Sequence, residues 1–321
     1  MNDRRFWHRG LSVGTLAADM YRTFVILRHT FREAIVEPIY SLLIALGAAI
    51  LVIFGMLPFF TFGEDTTMFK SVGLDVVLLL VLIATLFATS KSIFDEIEDR
   101  TMLTLMSKPV RKWEVLLGKY LGIILSALLA VAILGTVLCL ATWWRIPGDY
   151  QLRTSTLDER EINQIMNLRH MHLAGLIPSL LLIWLQIGVL AAIGVALSTR
   201  VSLVVNLPVV IILYIAGNLT RFLFPLSGPP LGDKPVVVKW LAYGLSVILP
   251  YLEAFDLRQL TVYRPIALSS NALAADINAV ALHTIWLYLG AAAIYALCYA
   301  AFALSAGMLL FQNRELGGGE G

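Results

Sequence analysis

The chain has 321 residues, of which 59% are hydrophobic and 14% are charged, and its mean hydropathy is +0.80. Soluble domains average about 45–50% apolar and about 25% charged, so this composition excludes a soluble enzyme, a disordered chain and a disulfide-stapled secreted module. The net charge of +2 gives no basis for nucleic-acid binding. Cys139 and Cys298 both sit in apolar runs and offer neither a disulfide framework nor metal-ligand spacing.

In chain order, residues 1–38 come first. They carry six arginines and four acids and lack the short apolar core of a signal peptide. Leu16, Met20, Phe24, Leu27, Phe31 and Ile35 recur at helical spacing, while Asp19, Arg22, Arg28, Arg32 and Glu33 fall off that stripe. The pattern predicts an amphipathic helix that lies on the inner membrane surface or packs on other protein. A spanning helix needs about 20 largely apolar residues to cross a hydrocarbon core about 30 Å thick. Six stretches answer to that: 39–62, 74–89, 120–144, 173–199, 201–220 and 279–311. In lipid their backbone groups must bond internally, which makes them helices.

The segments 63–73, 145–172 and 221–278 would then be external. In the second, a Pro147-Gly148 turn precedes a capping-box pair, Thr156 and Glu159, and the apolar Ile162, Ile165 and Met166. A short external amphipathic helix is expected there. The third contains the helix breaker Gly228-Pro229-Pro230. It also contains 235–252, which holds Lys239 and is read as an interfacial or re-entrant helix, with a seventh span as the alternative. Six spans place both termini on one side. Segments 1–38, 90–119, the turn at Arg200 and 312–321 hold 14 Lys/Arg, against 10 in the external segments. The positive-inside rule therefore favours cytoplasmic termini in the cell membrane. The fold class expected is an all-α integral membrane protein: an N-terminal helix over 1–38, a six-span domain over 39–311 and a cytoplasmic tail over 312–321.

The spans are nearly free of ionisable groups. Asp75 sits near a span end and His283 near the outer end of the last span, and Gln186, Asn206 and Asn218 are the main amides. Ion-coupled transporters place acids or histidines at mid-membrane depth, so any energy for transport should enter from elsewhere. Asn206 with Pro208 marks either a helix irregularity or an interhelical hydrogen bond, the latter favoured. No pore-loop signature, H-E-x-x-H or G-x-S-x-G is present. Leu117-Gly118-Lys119-Tyr120 resembles the end of a phosphate-binding loop. Trp113 replaces its upstream glycine, however, and Tyr120 its magnesium-binding hydroxyl. No catalytic residue and no resident cofactor is expected. The single metal-like cluster is His170, Met171 and His172, whose imidazoles and thioether would suit copper. The alternative is a polar loop leading into the fourth span, and no metal site is assigned.

Residues 90–119 hold 11 charges in 30 positions between two apolar spans. Asp95, Glu96, Glu98 and Asp99 form an acidic cluster, and Lys108, Arg111, Lys112 and Lys119 a basic one. Ile93, Phe94, Ile97, Met102, Leu105 and Met106 add apolar contacts. Pro109 breaks the pattern and Trp113 sits where an interfacial anchor belongs. The segment reads as helix, break, helix. It suits docking of a soluble partner through charge and apolar area, or it is a solvated loop whose basic end enforces topology.

Glu98-x-Arg100-Thr101, Leu105-Met106-Ser107-Lys108-Pro109-Val110, Trp113-Glu114 and Leu117-Gly118-Lys119-Tyr120-Leu121-Gly122 resemble the pattern of ABC-2 type transporter permeases, closest to the NosY-like subgroup linked to multicopper enzyme maturation. Thr30-Phe31-Arg32-Glu33-Ala34, Leu249-Pro250-x-x-Glu253-x-Phe255-Asp256 and Phe311-Gln312-Asn313-Arg314-Glu315-Leu316 are similar to segments of the same family. Arg100 departs from it, since many members carry glycine there. The resemblance implies a permease subunit of an ABC transporter, most simply an exporter, that pairs with a second permease subunit, homologous or identical. It also implies a separate ATP-binding subunit that holds the ATP and magnesium, so this chain would not be an enzyme. The partner-docking residues implied are Asp95, Glu96, Glu98, Arg100, Thr101, Lys108, Pro109, Arg111, Trp113, Gly118 and Lys119. The readings set against it are a non-transport membrane scaffold and an intramembrane lipid-acting enzyme.

Overall fold

A computed structural model describes residues 13–57, 65–95, 111–149, 159–223, 240, 249–264, 266–267 and 280–312. Seven long helices run through them: α1 (Val13–Val36), α2 (Pro38–Met56), α3 (Asp65–Ser90), α4 (Lys112–Asp149), α5 (Glu159–Ser198), α6 (Leu203–Leu223) and α7 (Leu282–Gln312). Between α6 and α7 lie a 3-10 turn at Leu252–Phe255 and a single helical turn at Arg258–Thr261. A two-residue parallel ladder pairs Ile266 with Val280 and Ala267 with Ala281.

Among the described residues, five helices are long and apolar enough to cross a membrane: Pro38–Met56, Asp65–Ile93, Lys112–Ile146, Ile165–Ser198 and Leu282–Phe311. They coincide with five of the expected spans. The residues of the remaining expected span, 201–220, form helix α6, whose apolar stretch Leu203–Leu219 is too short to count among the five. At 1.5 Å per residue its 17 positions reach about 26 Å. Most of the 235–252 element, and the tail from 313, lie outside the described residues.

The layers follow from burial. The apolar windows of α3 and α5 are 61% and 67% buried, whereas those of α2 and α7 are 17% and 28% buried. Helices α3 and α5 thus form the middle of the bundle, and α2 and α7 show apolar flanks such as Leu42, Val52, Leu287 and Leu297 outward. Such flanks suit lipid. The main core joins Phe69, Leu74, Leu134, Leu138, Leu182 and Ile187. A second cluster of smaller side chains, including Ile93, Ile123, Ala191, Val195 and Ala300, lies where α3 ends and α4 begins.

Several boundaries differ from the sequence expectation for physical reasons. Helix α3 starts at Asp65 rather than at 74, because Phe69 and Gly73 pack inward against neighbours from α4 and α2. Helix α4 continues through the expected Pro147-Gly148 turn to Asp149. The proline removes one intrahelical bond there, while Ile146, just before it, is fully buried. The short external helix expected after Glu159 is the beginning of α5, continuous with the fourth span. Residues 159–172 contain no glycine or proline to interrupt it, so His170, Met171 and His172 are helical rather than in a loop.

Helix α1 packs on α4 through a face that overlaps the apolar stripe only in part, at the half-buried Leu27, Phe31 and Ile35. Thr23, Thr30 and Ala34 are buried, whereas Met20 and Phe24 of the stripe are exposed. Gly118 and Gly122 of α4 permit the approach. A Cβ at Gly122 would stand 2.7 Å from the Leu27 carbonyl oxygen and 2.8 Å from Thr30 Cβ. Small residues are the usual means of bringing two helix backbones this close.

Candidate functional site

Residues 96–110, which connect α3 to α4 in sequence, lie outside the described residues, and with them Glu96, Glu98, Arg100, Thr101, Lys108 and Pro109. The two roots of this segment are described. On the first, α3 passes into a π-turn over Lys91–Asp95, the last residue of which is Asp95. Such a turn leaves carbonyls out of the regular ladder. The buried Lys119 of α4 donates to the Ser92 carbonyl and, at 3.2 Å, to Ser92 Oγ. Asn206, fully buried at the start of α6, donates from Nδ2 to Ser90 Oγ (2.7 Å) and to the Gly194 carbonyl (3.1 Å). This is the interhelical hydrogen bond favoured for that residue. At the rim, Lys91 pairs with Glu37 at 2.7 Å.

The second root is the start of α4. Glu114 is fully buried, and its Oε2 accepts the Arg111 backbone N–H at 3.3 Å, one half of a capping box. Its Oε1 has no hydrogen-bond partner among the described residues. The Arg111 side chain reaches Asp19 of α1 at 3.8 Å. Lys112 donates to the Phe311 carbonyl at 3.2 Å and lies 5.0 Å over that ring, which ties α4 to the end of α7. Arg200, in the α5–α6 turn, donates to the Leu310 carbonyl at 3.0 Å.

Five of the docking candidates can therefore be placed. Asp95 closes the π-turn, Arg111 is exposed in an ion pair, and Trp113 is 39% exposed. Gly118 faces Ile26 and Thr23 of α1 and Lys119 is buried, so both sit at internal helix contacts. Sequence reasoning did not single out Glu37 or Lys91 at this end. A salt bridge that spans 54 positions leaves no local spacing signal.

The opposite end holds three polar centres. Arg145, 8% exposed, donates to the carbonyls of Phe54 (3.1 Å), Gly55 (3.3 Å) and Leu57 (2.8 Å) and lies 3.8 Å from Asp65. It closes the C-terminal end of α2, where carbonyls lack helical partners. Asp75 pairs with Arg258 at 2.6 Å, and the two line a cleft of about 140 Å³ with Gln186, Tyr214 and Asn218. Lys70 meets His172 Nδ1 at 2.9 Å. Nearby, burial and then the Glu253 carboxylate raise the Tyr251 phenol above its ordinary value. The rings of the metal-like cluster turn to different neighbours, His170 edge-on to Trp143 at 6.0 Å and His172 to Lys70. Among the described residues no group of three His, Cys, Asp or Glu could hold a metal.

Comparison with known families decides the class. A family model described as ABC-2 family transporter protein matches residues 49–316. The chain belongs to that family. The match covers more than four-fifths of the sequence and runs from α2 past the end of α7. No curated protein matches the chain. As an ABC-2 family member, the chain is a multi-pass membrane component of an ABC transporter, a permease rather than the ATP-binding part. Permeases of the family work with an ABC ATP-binding partner in a membrane.

Proposed function

We propose that this ABC-2 permease component is a six-span subunit of an exporter in the cell membrane, with both termini in the cytoplasm. It moves substrate with energy from ATP and magnesium bound on a separate subunit, and it pairs with a second permease subunit. Residues 90–119 are the coupling element. Glu98, Arg100, Lys108, Pro109 and Arg111 dock the ATP-binding partner, and the NosY-like motifs set the subgroup. Support comes from one observation above all: both roots of that segment are tied to other helices. The π-turn is held by Lys119 and the end of α3 just before it by Asn206, and the α4 start by Arg111 to Asp19 and Lys112 to Phe311. Motion imposed on the segment reaches α1, α4, α6 and α7 through these bonds, which is what a coupling element requires.

The test is a double charge reversal, Glu98→Lys with Lys108→Glu, in the chain co-expressed with its ATP-binding subunit. Membrane insertion is expected to stay normal, while co-purification and transport-linked ATP hydrolysis fall at least tenfold. Normal pull-down together with normal coupled activity would overturn the assignment.

A further inference from the structure

We propose that the pocket around Lys70 binds a phosphate group. It lies at the bundle end away from 96–110, where the first turns of α3 meet α5 and the Arg258–Thr261 turn. The cavity measures about 200 Å³ and is lined by Thr67, Lys70, Met171, His172, Tyr263 and Arg264. Pockets for drug-sized molecules begin at about 300 Å³, so this one fits a single small group.

Lys70 is 2% exposed and is one of the largest fully buried side chains in the structure. Its Nζ contacts His172 Nδ1 at 2.9 Å and donates to the Val262 carbonyl at 3.2 Å. An ammonium carries three donors, so one remains for the cavity. Both partners are uncharged acceptors, and no carboxylate pairs with Lys70 among the described residues. Lys112 and Arg200 likewise bond carbonyls, but neither lines this cavity, and four other cations near helix ends have carboxylate partners. Arg145 has Asp65, Arg258 has Asp75, Arg111 has Asp19 and Lys91 has Glu37.

A buried charge with no counter-charge is costly, and a bound anion supplies one. The remaining lining suits a tetrahedral oxyanion. Arg264 is exposed at the rim, where a guanidinium can grip two phosphate oxygens at once. The Thr67 hydroxyl, on the first turn of α3, can donate to an oxyanion in the cavity. Two sources present this chemistry, free inorganic phosphate and the headgroup of an anionic phospholipid at the bundle end.

The experiment uses the full chain, delipidated in dodecyl maltoside, with its thermal unfolding midpoint followed by near-UV signal. Inorganic phosphate is titrated in one arm and phosphatidylglycerol in the other, with phosphatidylcholine as control. At least one arm is expected to raise the midpoint saturably. Response to inorganic phosphate assigns a free anion, and response to phosphatidylglycerol alone assigns a lipid headgroup. Lys70→Met should weaken the apparent Kd at least tenfold and Arg264→Gln about threefold. No saturable response in either arm, or wild-type affinity in both variants, overturns the proposal. Should Lys70→Met fail to fold, Arg264→Gln decides: unchanged affinity overturns it. No ATP-binding subunit is present, so failure here leaves the coupling assignment untouched.

Discussion

Arg145 sits where α2 runs out of hydrogen-bond donors. One guanidinium serves the carbonyls of Phe54, Gly55 and Leu57 and faces Asp65, with the Phe69 ring 5.5 Å beneath it. Hydrogen bonds to a charged group contribute more than neutral ones, and removing one partner of a buried ion pair is costly. Arg145→Met is therefore expected to lower unfolding stability by about 3 kcal/mol, read from denaturant unfolding in detergent. Stability within about 0.5 kcal/mol of the parent, as at an ordinary surface site, would show that the carbonyls find other donors. Sequence alone marked Arg145 only as one positive charge in an external segment. Its partners are mostly backbone atoms, which every sequence supplies equally, so no residue pattern reveals the site. Asn206 was legible for the opposite reason. A lone amide in an apolar helix must find acceptors for its N–H groups, and Ser90 Oγ and the Gly194 carbonyl accept them.

At the level of helices, the contact between α1 and α4 offers the sharpest test. Gly122 faces the α1 backbone with no room for a side chain. Gly122→Leu should push α1 away, cost about 2 kcal/mol as overpacking does, and speed tryptic cleavage at the exposed Arg28 and Arg32. Gly290, with nothing within 4 Å of a built Cβ, is the control. Gly290→Ala should leave stability unchanged or raise it by up to about 1 kcal/mol, since alanine is the better helix former. The helices themselves were largely readable, because long apolar runs admit little else in lipid. How they pack was not. The apolar stripe of α1 left open whether it faced membrane or protein. Met20 and Phe24 are exposed, Leu27, Phe31 and Ile35 are half-buried, and the close approach to α4 is made beside small residues, which periodicity does not mark. Helix ends were also misjudged where polar residues continue a helix beyond the apolar run, as α5 does from Glu159. Composition marks the hydrocarbon, not the end of hydrogen bonding.

For the whole molecule, topology is the quantity to measure. With Cys139 and Cys298 replaced by alanine, single cysteines at positions 91 and 200 should be reached by an impermeant maleimide from one face only. A cysteine at position 169 should be reached from the other. Labelling of 91 and 200 from opposite faces would break the six-span arrangement, and labelling of both from outside an intact cell would reverse the proposed orientation. Helix α4 has 38 residues, so it is about 57 Å long, well beyond a hydrocarbon core of about 30 Å. One tip, at Lys112, adjoins the coupling segment, and Arg145 lies near the other. Treated as a rigid rod pivoting at its centre, α4 acts as a lever of equal arms. A tilt of about 5° would carry each tip about 2.5 Å in opposite directions for a rod of that length. That throw rivals the reach of a hydrogen bond, so under the proposed function a small push beside Lys112 would suffice to loosen the Arg145 clasp on α2 at the other end of the rod.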